Sequence, residues 1–358
     1  MSLAGLDPKR YSLPGKEHDR IYRDVVRPRV LNIPAAEHPT AVILCGTPGM
    51  GKSSVARQIL ANEPAAKISS DKLSKFHPQW PHLLAADDST AGFYARHDAV
   101  KWVDAALHDA TTARLPILVD TALASPDRAR DLSRLFRDAN YPVHVVAVTG
   151  PGAFSQLGVL HRHYTDRQAQ GGARFVDSPD SLFPGVAASV RAVETESLAD
   201  SITVYRRTGE VLFRNALDVR GRMELPAGAE AAVRAERTRK WTEPEARWFA
   251  DTAERLAGVP RGELGPGTRD RWGSLVAEAV SSAQPFMHPA HSHRTAQLLR
   301  RLPDPGVATS ARVAALGFPG AAADVTRYQQ DVNDRDESGH QGPVRGPAPD
   351  PKRTGPEL

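Results

Sequence analysis

Gly46-Thr47-Pro48-Gly49-Met50-Gly51-Lys52-Ser53 fits G-x-x-x-x-G-K-[S/T] without a mismatch, and Ser54 follows it. This is the pattern of a P-loop. Its glycines let the backbone wrap closely around phosphate oxygens, and its amides and the helix that follows point positive ends at the anion. Lys52 can reach the terminal phosphates of a bound nucleotide, and the Ser53 hydroxyl can hold Mg2+. The context agrees with the letters. Four apolar residues, Ala41 to Leu44, read as a short buried strand before the loop, and Ser53 to Leu60 reads as a helix after it.

Three more residues have the types that phosphoryl transfer needs. Asp71 follows an expected strand, where a sheet presents residues to its ligand crevice. There it can accept a proton from a substrate hydroxyl, ligate magnesium through water, or cap the next helix. Arg162 falls on an expected helix and Arg174 just beyond a glycine-bearing loop. Two guanidinium forks converging on one phosphate would neutralise the charge that develops on it. Spacing alone favours solvated surface for either arginine, because the chain is arginine rich and most arginines are solvated.

These residues need a scaffold, and the chain supplies its signals. Strands are expected at 41–45, 66–69, 116–120, 143–148, 202–206 and 211–214, and helices at about 93–113, 126–139, 153–169 and 180–198. Ser125-Pro126-Asp127 reads as a helix start, with serine as cap and proline in the first turn. Thr208-Gly209 marks a hairpin. Alternating strands and helices predict an α/β fold, a parallel sheet flanked by helices with the P-loop at its carboxyl edge. The expected division is a lead-in over 1–38 with a helix across Glu17 to Leu31, a P-loop kinase-like domain over 39–215, a helical C-terminal extension over 216–323, and a disordered tail over 324–358. The tail is rich in Asp, Arg, Gly and Pro and nearly free of apolar residues.

The 358 residues carry 46 Lys and Arg against 42 Asp and Glu, so charge balance does not call for a nucleic-acid partner. The single cysteine, Cys45, excludes an intrachain disulfide, and its place at the end of the P-loop strand suits a buried small residue. No apolar run is long enough to span a membrane and Met1 to Arg10 has no apolar signal core, so the expected location is cytoplasmic. In the extension, Trp241, Trp248, Phe249 and Leu256 are spaced as a helix packing face. His288, His291 and His293 lack the further ligands that a metal site requires.

The chain resembles the zeta toxins, a family of UDP-N-acetylglucosamine kinases. The resemblance runs over about 200 residues: Glu17 to Ile21, Pro39 to Leu44, the P-loop, Ile68 to Pro78 with its His77-Pro78, the segment Arg162 to Arg174, and the hairpin Ile202 to Phe213. It implies ATP and Mg2+ as cofactors, a small-molecule sugar-nucleotide substrate, and a proteinaceous antitoxin as partner. It implies that Asp71 deprotonates the sugar hydroxyl, and that Lys52, Arg162 and Arg174 hold ATP phosphates and the transferred group. Asp104 and Asp120 fall where the family has acidic substrate-side residues, each one methylene shorter than the family's glutamate. His77 is a substrate-side candidate or a structural hydrogen-bonding residue. The chain departs from the family at Ser69, where an acid is often seen, and at Ala122, where a threonine is expected against the substrate.

Overall fold

Six strands form one sheet in the computed structural model of the chain, which describes residues 7–176 and 179–303. They are β1 (Ala41–Cys45), β2 (Ala66–Ile68), β3 (Ile117–Asp120), β4 (Val143–Thr149), β5 (Ser201–Arg206) and β6 (Val211–Ala216). The order across the sheet is β2-β3-β1-β4-β5-β6, with β5–β6 antiparallel and every other neighbouring pair parallel. β1 reads Ala-Val-Ile-Leu-Cys without polar alternation because helices cover both of its faces. The chain leaves β1 to build β2 and β3 on one side, then crosses to β4 on the other. That reversal opens a crevice at the carboxyl end of β1, where ligands bind in such sheets.

The helices follow the expected pattern with shifted ends. Ala91–Thr112 and Phe183–Thr195 flank the sheet, the latter preceded by a short 3-10 turn, Pro179–Leu182. Pro126–Asp138 starts where proline suits the first turn, but Ser125 makes no side-chain capping bond. Arg162 stands on the helix Gly152–Gln170. The β5–β6 turn closes through Gly209 at φ +96°, whose amide donates to Arg206 O at 2.8 Å.

The lead-in is part of the core. Gly15–Ile21, Tyr22–Val26 and Arg27–Val30 form one continuous helical run that includes a π-helical turn. Ile21 and Val26 are buried with Trp102 and Leu107 of the helix Ala91–Thr112. The indole of Trp102 donates to His18 O at 3.2 Å, and Tyr22 donates to Asp109 at 3.0 Å.

Beyond the hairpin, the helix Ala229–Thr238 packs Ala229 and Val233 into the core of the sheet domain. Its N-terminus is held by buried Glu194, which accepts from the amides of Gly228 (2.9 Å) and Ala229 (2.6 Å). The helices Glu243–Ala257, Trp272–Ala283 and Pro289–Arg301 then form a second apolar cluster against Gly152–Gln170. Phe249 and Leu256 lie on the packing face of Glu243–Ala257, beside half-buried Trp248. Trp241 precedes that helix and is buried against Phe154 of Gly152–Gln170 and Phe249, with ring centroids 4.5 Å and 5.0 Å away. His288 caps Pro289–Arg301 by accepting from Ala290 N. Among the described residues, no group of three or more His, Cys, Asp or Glu side chains could hold a metal ion, and no helix is long and apolar enough to cross a membrane. The tail expected from 324 lies outside the described residues.

Candidate active site

β1 ends in Cys45, whose thiol burial pushes up to about 12 despite the nearby Lys52 ammonium, so it is no nucleophile. The chain then turns through Gly46, Gly49 and Gly51, all at positive φ. Gly49 (φ +77°) crosses the backbone of Gly152–Gln170 so closely that a Cβ there would lie 2.3 Å from Ser155 O and 2.7 Å from Val159 N. Both obstacles are main chain and cannot swing aside. Gly49→Ala is therefore expected to lower the denaturant midpoint, by at least ~1 kcal/mol of stability, from a strained left-handed residue and a displaced helix. An unchanged midpoint would mean that the loop tolerates a side chain there. Ser155 fastens the loop from the same helix, donating to Pro48 O at 2.5 Å. Gly46 N donates to Ala122 O at 3.4 Å, tying the loop to the turn after β3.

Lys52 opens the helix Lys52–Asn62 and folds back across the loop. Its ammonium donates to Gly46 O at 2.7 Å and Thr47 O at 3.3 Å. Burial pulls it below the usual lysine range, opposed by Asp120 and Asp71. Ser53 and Ser54 are exposed at the N-terminus of the same helix. A hydroxyl in that place, next to an ammonium and open amides, fits a nucleotide phosphate and its Mg2+.

Asp71 stands in the first turn of Ser70–Leu73, directly after β2. Its Oδ2 accepts from Arg174 Nη2 at 2.7 Å, joining residues 103 positions apart. The Asp71 side chain is 53% exposed and that of Arg174 20%, so the pair faces an open cleft. Desolvation raises the Asp71 carboxyl, but Arg174, then Arg162, Lys52 and Arg96, outweigh it and hold the group below the usual carboxylate range. The stem of Arg174 runs over Gly92, where a Cβ would sit 2.4 Å from Arg174 Cδ. Arg162 is pulled down by burial and then by Arg174, against Asp71, Asp166 and Asp120. Two guanidiniums held against mutual repulsion beside an ammonium make a site that is completed by an anion.

Asp120, at the end of β3, accepts from Lys67 of β2 at 2.8 Å and lies within electrostatic reach of Lys52 and Arg162. The structure thus brings together Lys52, Asp71, Asp120, Arg162 and Arg174. Asp104 is elsewhere. It is exposed on Ala91–Thr112 and meets Arg128 of Pro126–Asp138 at 3.3 Å. Desolvation raises its carboxyl, with Arg128 opposing. His77 is buried with its Nε2 toward Tyr11 O (3.0 Å) and its Nδ1 accepting from Gln79 N (3.2 Å), which fastens the lead-in. Sequence reasoning missed Lys67 and Arg96. Only the β2–β3 register, Lys67 beside Leu118, puts Lys67 next to Asp120. It also missed Arg207, which rests against Gly51 and spreads its guanidinium 4.6 Å from the Phe154 ring and 4.4 Å from the Trp248 ring.

A mainly parallel sheet wound as 2-3-1-4-5, with a P-loop at its switch point and cations around a carboxylate, defines a P-loop kinase-like fold. Residues 25–218 match the family model described as Zeta toxin, and the chain belongs to that family. A curated relative, Toxin zeta of Streptococcus agalactiae, is 21% identical over 201 residues, which covers 54% of this chain and 69% of that protein. A solved chain from the PezAT chromosomal toxin-antitoxin system of Streptococcus pneumoniae superposes with a TM-score of 0.59 at 16% identity. That superposition covers 69% of this chain and 97% of the solved one.

Proposed function

We propose that the chain is an ATP-dependent kinase that transfers the γ-phosphoryl group to a hydroxyl of a UDP-N-acetylhexosamine. The observation that carries this reading is the Asp71–Arg174 pair at 2.7 Å, set among Lys52 and Arg162 beside the P-loop. Asp71 is kept ionised by its cationic neighbours and takes the acceptor's proton. The acceptor oxygen bonds to the γ-phosphorus as the bond to the β–γ bridging oxygen breaks, and ADP leaves with that electron pair. Lys52, Arg162 and Arg174 neutralise the charge spread over the moving group. Ser53 would hold Mg2+, which would supply positive charge to offset that of the nucleotide phosphates. In this reading residues 39–215 are the kinase domain, 1–38 its lead-in and 216–323 an extension, and a protein antitoxin is the expected partner of a family member.

The acceptor side also favours an anionic substrate. Lys72, next to Asp71, is pulled down by burial and then by Lys67, with Lys75 adding to the effect and Asp120 opposing it. Three ammonium groups, of Lys67, Lys72 and Lys75, against the carboxylates of Asp71 and Asp120 suit an acceptor that brings its own phosphates. A second reading, a kinase acting on a different hydroxyl, is favoured by Asp104, which is turned to Arg128, and by the absence of a hydroxyl at Ala122. Labelled ATP with a panel of UDP-sugars, other sugars, nucleosides and coenzymes separates the two. Phosphorylated UDP-N-acetylglucosamine, with KM lowered in Ala122→Thr, is the expected result. Label transferred only to another class would replace the acceptor, and no transfer to any would end the kinase reading.

The ion pair also sets a pH dependence. Arg174 lowers the Asp71 carboxyl, so the base form persists to lower pH while Arg174 is present. Arg174→Gln is expected to move the acid limb of kcat/KM to higher pH as well as lowering its plateau. A limb that stays in place would remove Asp71 from the role of base.

A further inference from the structure

Arg162 and Arg174 are each followed by a residue fastened to one buried aspartate. Asp88 lies in the loop between Trp80–Ala86 and Ala91–Thr112 and is 0% exposed. Its Oδ2 lies 3.1 Å from Nε2 of His163, the neighbour of Arg162. Its main-chain oxygen accepts from the amide of Phe175, the neighbour of Arg174, at 3.0 Å. The His163 and Phe175 rings meet edge to face with centroids 5.4 Å apart.

The remaining donors to Asp88 come from the C-terminal extension. Gly267 N donates to Oδ1 at 2.9 Å, and Thr268 Oγ1 lies 3.4 Å from Oδ2. The fit is close. A Cβ at Gly265 would sit 1.6 Å from Asp88 Oδ2, and one at Gly267 would sit 1.9 Å from Asp87 Oδ1. Arg271 then covers the Phe175 ring at 5.2 Å, and Trp272 packs on His163 at 6.0 Å. A carboxylate taken wholly out of water is costly, and this one has donors on both oxygens. Residue 88 holds the Phe175 amide through its main-chain oxygen and sets the His163 ring against its carboxylate, one residue from each of two guanidiniums that repel one another.

We infer that Asp88 is a positioning residue for both arginines, and that the segment 265–272 completes it, so that the C-terminal extension is part of the phosphoryl-transfer machinery. This rests on the kinase reading. Misplacing a phosphate-binding group by about an ångström costs on the order of 100-fold in rate. Asp88→Asn keeps the volume, but its single oxygen cannot accept from both sides, and it leaves a buried donor unpaired.

The test compares ADP with a non-hydrolysable ATP analogue by calorimetric titration, and follows kcat and melting temperature. The wild type should prefer the triphosphate. Folded Asp88→Asn should bind ADP as the wild type does, lose about tenfold of the triphosphate preference through displaced charge-assisted bonds, and lose most of its turnover. Thr268→Val, which removes one hydroxyl from the extension, should move the same quantities less, and it serves alone if Asp88→Asn does not fold. In an Arg162→Gln background, Asp88→Asn should add much less than it does alone. Full triphosphate preference and turnover in a folded Asp88→Asn, or in Thr268→Val if that is the variant that folds, would overturn the inference, as would simple additivity with Arg162→Gln. A wild type that binds no nucleotide, or does not distinguish the two, would instead overturn the kinase reading and this inference with it.

Discussion

Lys52→Ala should remove phosphoryl transfer while leaving a folded protein. The ammonium strap to Gly46 O and Thr47 O marks the mouth of the loop, where terminal phosphates would bind. In a desolvated site a positioned charge of this kind contributes far more than in water, and its loss typically lowers kcat by about 100- to 1,000-fold. Folding should be little affected, because burial already disfavours the ammonium and alanine is a strong helix former at the start of Lys52–Asn62. Labelled phosphate released or transferred in a single turnover, alongside a circular-dichroism melt, measures both. Turnover near the wild-type rate in a folded Lys52→Ala protein would end the assignment of Gly46–Ser53 to nucleotide phosphates.

Asp71→Asn should separate chemistry from binding. The amide keeps the size of the carboxyl but cannot take the acceptor's proton, and general bases contribute about 100- to 10,000-fold. ATP affinity should stay within a few-fold, because the phosphates are held by the loop, Lys52 and the arginines. Stability should change little, since an ion pair opening onto solvent contributes at most ~1 kcal/mol, and Asp71 is 53% exposed. The two quantities must be measured on one preparation. If ATP affinity collapses while single-turnover transfer survives, Asp71 is instead a magnesium-organising or structural residue.

Much of the fold was legible because its signals are local. Ala41–Cys45 is a continuous apolar run, and Pro126 and Gly209 mark a helix start and a hairpin turn by their own backbone preferences. What was harder to read depended on neighbours distant in sequence. Trp241 shares a helical period with Phe249 and Leu256 yet precedes their helix, because Thr242 caps it in a capping box with Glu245 and the helix starts at Glu243. Asp104 falls at a plausible position in the order of residues. Its helix is rotated by the buried face of Ala99, Trp102, Val103 and Ala106, which leaves Asp104 exposed toward Arg128. His77 looked equally suited to substrate or scaffold, and its burial against Tyr11 and Gln79 gives it partners in the scaffold.

The sequence by itself determined the phosphate loop, since the glycine conformations, the lysine and the serine that build it lie within eight consecutive residues and need only a strand before and a helix after. It also determined the alternation that makes the sheet parallel, because hydrophobic periodicity is a property of each segment alone. Which charges meet was decided by the tertiary structure. Asp71 finds Arg174 across 103 positions, Lys67 finds Asp120 only through the β2–β3 register, and Asp88 finds Thr268 across 180. Electrostatic and hydrogen-bonding partners act over a few ångströms, and those ångströms are set by strand order and helix packing rather than by any local preference of the residues that carry the charge.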